Sequence, residues 1–595
     1  MGKGYIVVQL FTAREALPIA LAKVTITPSI ECNSNNFFKK VLETNISGET
    51  EKVEVSTKEK EFSLNAVESN IPYELYDISI IADGYHDLLI MGVQVFPDST
   101  SIQRVEMEPV GKLRNGFEII NIPSHQLNVR TYRDKQVGPK GTKVLGNVYI
   151  PEYITVHLGS PTSYSENVTV KFIDYIKNVA SSEIYPTWPE NALKANIYAQ
   201  ISYALNRVYT EWYRNKGYNF QITNSTAYDQ CYVKGRNIFE NISRIVDDIF
   251  NEYISIMGYI EPLFSQYCNG STVTCGGLSQ WGTVDLANKG YLPIEMLKYY
   301  YGNNIELIRT SDIKGIVESY PGEVLKRGSL GSQVKVIQKQ LNRIARNYTA
   351  IPVINPIDGN FNKDTEDSVK VFQKIFNLIQ DGIVGRATWY KISDIYVGVK
   401  KLADLESEGE KESDIISDNI YPGYLLREGS KGKEVRKLQY YLSFIGDFYY
   451  NIPVISVDSI FGAKTKEAVI AFQRKFKLKD DGIVGRLTWN KIYEVYKTIE
   501  EGIDESIINQ QQYPGRPLKE MSKGEDVEKI QSYLNMIANK YNEISKIDID
   551  GIFGPETRRD VMSFQEKFGL AVDGIVGKTT WDKIVEVYKK LDEIK

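Results

Sequence analysis

The chain has 595 residues, too many for one hydrophobic core, so several domains are expected. Hydrophobic residues make up 42% and charged ones 25%, and a net charge of −5 with no dense Lys/Arg block argues against a nucleic-acid partner. No apolar run reaches the roughly 18 residues of a membrane span, and 3 histidines with 4 scattered cysteines leave too few ligands or bases for a zinc site or a Ser-His-Asp centre. No metal or other cofactor is expected, and carboxylates must carry any chemistry.

The opening MGKGYIVVQLFTAREALP reads as a first β-strand and not as a secretory signal. IVVQLF, KVTITPS, KVEVST, YDISIIA and IQRVEME, separated by turns such as NISGET and ADGYHD, predict a β-sandwich over residues 1–110. Residues 111–149 are rich in Gly, Pro and basic side chains (GKLRNG, DKQVGPKGTK) and read as an exposed connector open to proteases.

Residues 150–315 form a central, mainly helical domain. A helical pattern covers 170–180, and a second helix buries Leu193, Ile197, Ile201, Leu205, Val208 and Trp212. Thr187, Trp188, Pro189 and Glu190 ahead of it read as a capping box, which explains Glu190. Further helices are expected at 236–254 and at 293–302, the latter with Pro293 near its start. Glu183 falls in the joint between the first two helices, where a side chain can project into a cleft; the alternative is a merely solvated glutamate. The segment NGSTVTCGGLSQWGTVDLANKG at 269–290 sets glycines, Ser279, Gln280 and Trp281 in a turn ahead of a short helix. Such a turn permits close approach to a ligand, or is a structural hairpin. Cys268 and Cys275 are the only cysteines near enough in sequence for a local bridge.

The C-terminal half repeats. DGIVGRATW at 381–389 returns as DGIVGRLTW at 481–489 and DGIVGKTTW at 573–581, each after an aromatic-Gln pair in VFQKIF, AFQRKF or SFQEKF. Each copy predicts a three-helix module with Phe372, Phe376 and Trp389, or their equivalents, inside, and Thr388, Thr488 and Thr580 as N-caps. Modules are expected at 321–399, 421–497 and 513–595, strung with some independence on an acidic linker at 400–420 and a second linker at 498–512. The fold class is thus multidomain α+β.

SSEIYPTWPENALKANIYAQISYALNR and GGLSQWGTVDLANKGYLPIEMLKYYYGNNIEL resemble, in order, the two signature elements of the SpoIID-type lytic domain of sporulation. The repeats resemble the peptidoglycan-binding-1 module, and TNISGET with DGYHD is similar to carboxypeptidase-regulatory or transthyretin-like sandwiches. Together these look like the SleC-type spore cortex-lytic enzymes, which usually carry fewer binding modules. The resemblance implies a lytic transglycosylase that cuts the MurNAc–GlcNAc bond of cortex peptidoglycan during germination. It puts the catalytic acid and base on Glu183, here followed by Ile184, Tyr185 and Pro186 with one residue more than usual before the proline. Ser279 and Gln280 match the family's Ser-Gln pair and, with Trp281, are candidates to touch sugar. Where the family carries a Gly-His-Gly histidine this chain has Thr274, so no role of that histidine transfers. A muramidase would need a second carboxylate, for which Asp229, Asp248 and Glu261 are available. The resemblance further implies an extracytoplasmic protein of the cortex or wall, made as a zymogen whose 1–110 sandwich is released by a germination protease. The alternative is a non-catalytic wall-binding protein or amidase enhancer.

Overall fold

The structure, a computed structural model, describes residues 2–592 apart from 30–37, 67–70, 110–116, 129–144, 315–319, 412–420, 423, 450, 509–516, 524, 539 and 542. The chain divides into two compact units, Met1–Tyr348 with Ile357–Glu500, and Thr349–Pro356 with Glu501–Lys595.

Among the described residues the first unit begins with the strands β1 (Gly2–Thr12), β2 (Leu17–Pro18), β3 (Lys23–Pro28), β4 (Lys40–Glu43), β5 (Val53–Thr57), β6 (Glu74–Ile81), β7 (Asp87–Val95), β8 (Thr100–Glu106) and β9 (Phe117–Asn121). In one sheet β1 lies between parallel β8 and antiparallel β5, with β2 at its end; the other runs β4-β3-β6-β7-β9. Alternation sends Ile6, Val8 and Leu10 of the first sheet against Val24, Ile26, Ile78 and Ile90 of the second, the sandwich core. Strand β9 lies within the stretch expected as connector and pairs parallel with β7 from Asp87↔Phe117 to Met91↔Asn121. The short FEIIN run supplies Ile120 to the core in a surrounding that reads as loop. Of that stretch, 111–116 and 129–144 lie outside the described residues.

The central domain follows: β10 (Tyr153–His157), β11 (Asn167–Lys171), α1 (Phe172–Glu183), α2 (Glu190–Tyr209), β12 (Ile222–Thr223), β13 (Ile238–Phe239), α3 (Glu240–Ile249), β14 (Glu252–Ile256), β15 (Tyr267–Cys268), β16 (Leu278–Ser279), α4 (Gln280–Asn288), α5 (Pro293–Tyr301) and β17 (Ile305–Arg309). Three expectations are corrected here. The 236–254 helix is instead β13, α3 and β14, because the β-branched and aromatic ends of that run pair with β8 and β17. Trp212 lies beyond α2, which ends at Tyr209. The capping box does not form: Pro189, fixed near φ −55° in an extended conformation, is the N-cap without a side-chain bond. Glu190 is then the first helical residue and pairs with Lys194 at 2.5 Å, while the buried Thr187 Oγ1 has no hydrogen-bond partner.

The first module comprises α6 (Ser332–Ile344), α7 (Lys363–Ile375) and α8 (Arg386–Lys411); the second comprises α9 (Lys433–Phe448), α10 (Ala463–Lys475) and α11 (Arg486–Ile508). The second unit carries α12 (Glu525–Ala538), α13 (Pro555–Lys567) and α14 (Lys578–Asp592). Phe372, Phe376 and Trp389 are buried as expected. Thr388, Thr488 and Thr580 are not N-caps, since their helices start two residues earlier. Their hydroxyls accept hydrogen bonds from Gln373, Gln473 and Gln565, at 3.1, 3.3 and 3.1 Å, from the aromatic-Gln pairs. The same glutamine amide nitrogen also reaches the DGIVG aspartate, and its oxygen accepts from the DGIVG glycine N–H. Gln338, Gln439 and Gln531 repeat this arrangement around Asp358, Asp458 and Asp550. Each module is therefore two copies of one glutamine-centred turn.

Helices α8 and α11 continue through residues 411 and 508, so the first parts of both expected linkers are helical. Within the first unit the modules are not independent. Lys391 of α8 bonds the buried Glu15 at 3.0 Å, Tyr348 donates to the Glu15 carbonyl at 2.8 Å, and Arg14 donates to the Gly446 carbonyl of α9 at 2.9 Å.

Candidate active site

Glu183 is the last residue of α1. Small Ala180, Ser181 and Ser182, all fully buried, let the end of that helix press against its neighbours. Ile184 then turns to an extended conformation, φ −133° and ψ 149°, and the helix stops. The carboxylate is held from three directions: Tyr267 of β15 donates to Oε2 at 2.6 Å, Gln200 of α2 to Oε2 at 2.9 Å, and the Cys231 N–H to Oε1 at 2.8 Å. Behind this shell Gln230 donates to the Tyr267 hydroxyl at 2.9 Å and accepts from Tyr175 at 3.0 Å. Burial, with the charges of Asp229 and Glu183 nearby, holds the Tyr175 phenol well above its ordinary range, so it stays a donor. Such a chain fixes the rotamer of Glu183 and the orientation of its carboxyl group.

The 269–290 segment is brought to the same place. A Cys268–Cys275 disulfide closes its loop, and β15 pairs parallel with β16 at Tyr267↔Leu278 and Cys268↔Ser279. Ser279 caps α4, accepting from the Gly282 N–H at 3.0 Å. Gln280 donates to the Glu183 carbonyl at 3.3 Å, and Trp281 packs on Trp188 with ring centroids 4.8 Å apart. Thr274 sits exposed in the disulfide loop. The other carboxylates have other tasks. Asp229 is locked in a buried ion pair with Arg207 at 2.8 Å and accepts from Tyr213 and Thr223. Asp248 pairs with Arg386 of the first module, and Glu261 lies in the loop after β14.

Glu183 is only 1% exposed, not projecting into an open cleft. An aromatic cover lies beside it: Tyr185 contacts Trp188 and Trp281, and from the sandwich side Phe96 and His125 pack on Tyr185 at 5.1 and 4.7 Å. The Trp188 indole donates to the Ser63 carbonyl at 3.2 Å. Burial and the Arg236 charge hold His125 well below its ordinary value, so it is a neutral packing group. Sequence reasoning missed His125, Gln200, Gln230 and Tyr267; the buried pair Tyr267–Cys268 ahead of the Gly-rich turn was the one local signal for Tyr267.

Residues 331–392, 431–492 and 523–584 match the family described as putative peptidoglycan binding domain. Residues 161–251, which contain Glu183, match the Stage II sporulation protein family. Among curated proteins, the N-acetylmuramoyl-L-alanine amidase CwlL of Bacillus licheniformis is 34% identical over 30% of this chain and 47% of its own. A spore cortex-lytic enzyme of Bacillus cereus is 37% identical over 14% of this chain and 29% of its own, and the zinc D-Ala-D-Ala carboxypeptidase of Streptomyces albus G is 40% identical over 12% and 26%. The matches span half the length of these relatives or less. No solved structure matches the chain.

Proposed function

We propose that the chain is a peptidoglycan-lytic enzyme of the spore cortex, cleaving the MurNAc–GlcNAc bond as a lytic transglycosylase with Glu183 as its single acid and base. The observation that carries this reading is the buried Glu183 carboxyl inside the Stage II sporulation match, aimed by Gln200 and the Cys231 N–H of the same span and by Tyr267 beyond its end. Protonated, Glu183 gives its proton to the glycosidic oxygen as the anomeric C–O bond breaks, and the muramic acetamido oxygen stabilises the developing cation. The carboxylate then takes the proton of the muramic 6-hydroxyl as that oxygen bonds the anomeric carbon. A 1,6-anhydro ring forms, no water is consumed, and Glu183 is protonated again. One carboxyl suffices, in keeping with Asp229 and Asp248 being committed to Arg207 and Arg386.

Three wall-binding modules raise residence on a polymer through effective concentration without a tight single site. The substrate places the enzyme outside the cytoplasm, at the cortex. The Phe96–Tyr185 and Ser63–Trp188 contacts support a zymogen, in which the sandwich holds the aromatic cover closed until a germination protease cuts before residue 150.

Cortex sacculi digested with chain nicked at a protease site inserted within 129–144 should release anhydro-muramic ends, and Glu183→Gln should release none. Reducible muramic ends would mean hydrolysis. Binding without either product would leave a wall-binding protein.

A further inference from the structure

The β10–β11 hairpin is two-faced. Ile154, Val156, Val168 and Val170 alternate into the core of the central domain, while Thr155, His157, Asn167 and Thr169 point the other way. Cross-strand pairs on that outer face bond each other: Thr155 with Thr169 at 3.2 Å and His157 with Asn167 at 2.7 Å. Asn167 donates on to Oδ1 of the exposed Asn219 at 2.9 Å.

Opposite stands the second module. Glu467, Ile470, Ala471 and Arg474 share one face of α10 by their i, i+3, i+4, i+7 spacing. Between the hairpin and this helix runs a groove of about 460 Å³, within the ~300–1,000 Å³ range of small-ligand sites. Ile470, Ala471 and Leu478 give it an apolar side; Thr155, Asn167, Thr169 and Asn219 give it a side of hydroxyls and amides. At its mouth Tyr164 is 88% exposed, with the Arg474 guanidinium 5.5 Å from its ring. The buried Asn451 Oδ1, which borders the groove, has no hydrogen-bond partner among the described residues.

A pyranose ring is amphipathic: its faces are C–H surface and its rim carries hydroxyl and acetamido groups. A slot whose helix wall sets Ile470, Ala471 and Leu478 among the charged Glu467, Arg474 and Lys475, whose other wall carries planar amides and hydroxyls, and which has an exposed aromatic ring at its entrance matches that object. The first and third modules do not repeat the wall: the positions of Glu467, Ile470, Ala471 and Arg474 are Asp367, Lys370, Val371 and Lys374 in one, and Arg559, Met562, Ser563 and Glu566 in the other.

We infer that the groove between the polar face of the β10–β11 hairpin and helix α10 is a second glycan site, taking a short run of N-acetylhexosamines of the wall polymer. It rests on the peptidoglycan reading and adds a place where the catalytic domain and the second module hold one strand together. Its function is to fix the strand relative to the central domain, which the module repeats alone do not do.

The test uses the full chain and the N-acetylglucosamine tetrasaccharide, read by amide hydrogen exchange, with co-sedimentation on cortex sacculi in parallel. The tetrasaccharide should slow exchange in both 153–171 and 463–480. Tyr164→Ala with Asn219→Ala, both at exposed positions, should weaken that protection at least about tenfold, or ~1.4 kcal/mol, without lowering the melting temperature. Protection confined to other segments, or unchanged in the double variant, overturns the groove site alone. Loss of sacculus binding by the parent chain overturns the wall-binding reading as well.

Discussion

Tyr267 donates to Glu183 Oε2 at 2.6 Å and is itself held by Gln230, so the acid and the residue that aims it come from segments 84 positions apart. On the proposed mechanism the phenol, a donor, steadies the Glu183 carboxylate that forms when the proton leaves for the glycosidic oxygen. Tyr267→Phe keeps the ring and deletes that bond. A hydrogen bond to a charged group is worth about 1.5–3 kcal/mol, so the rate of anhydro-muropeptide release should fall roughly 10- to 100-fold with the melting temperature little changed. An unchanged rate would assign Tyr267 to packing alone.

Glu106 closes the lower end of β8 against Arg14, whose backbone N–H it accepts at 2.7 Å, while its buried Oε2 has no partner. Burial pushes its pKa from 4.5 to about 7, although Arg14 and Lys171 pull it down and Glu15 adds to the rise. The folded state thus holds a proton that the unfolded chain releases above 4.5. Stability from this group is full below pH 4.5 and lost as pH rises through about 7. Melting temperature should therefore decline from pH 5 to 8 in the parent chain, and Glu106→Gln should flatten that slope. An equal slope in both would show that another group titrates.

Glu15 sits in the Ala13–Ala16 turn, where Ala13, Arg14 and Glu15 all have positive φ. Burial opposes its ionisation, but Arg104, Lys391 and Lys171 hold its carboxyl well below the usual range. Those cations come from the sandwich, the first module and the central domain, so one carboxylate joins three domains. Glu15→Ala leaves buried positive charge short of a partner, a loss of about 3–5 kcal/mol. Limited proteolysis of the variant should release the first module early; a parent-like pattern would mean Asp174 and Asp394 suffice for those cations.

Regular periodicity made much of this fold legible. The β-branched strands of the sandwich, the apolar face of α2 and the triplicated DGIVG turn each state their own secondary structure. What stayed hidden depends on partners distant in sequence. FEIIN is a strand because β7 is beside it, and Ile238–Phe239 is a strand because β8 is. Thr187 lost its cap to the rigid φ of Pro189, a local conflict the Thr-x-x-Glu pattern does not weigh. Glu183 is singled out in the sequence by a resemblance, while the residues that hold it, Gln200, Gln230 and Tyr267, are not, since hydrogen bonds across 17 to 84 residues leave no spacing to read. The burial of Glu183 was missed for the same reason: the groups that close on its carboxyl, Gln200, Cys231 and Tyr267, come from distant segments.

The aromatic-Gln pair of each repeat reads as a core aromatic with a polar neighbour, yet the glutamine is the part that shapes the turn. Gln565 is 1% exposed; its amide nitrogen donates to Asp573, the Ile575 carbonyl and Thr580, and its oxygen accepts from the Gly574 N–H at 2.9 Å. Gln565→Ala strands those groups out of water at about 1–3 kcal/mol each where they stay buried. A domain holds only about 5–15 kcal/mol in total, so the third module should become protease-sensitive near 573–580 and the chain should bind sacculi more weakly. Intact proteolytic resistance in Gln565→Ala would show that the apolar cluster of Phe564, Val576 and Trp581 holds the module without the glutamine.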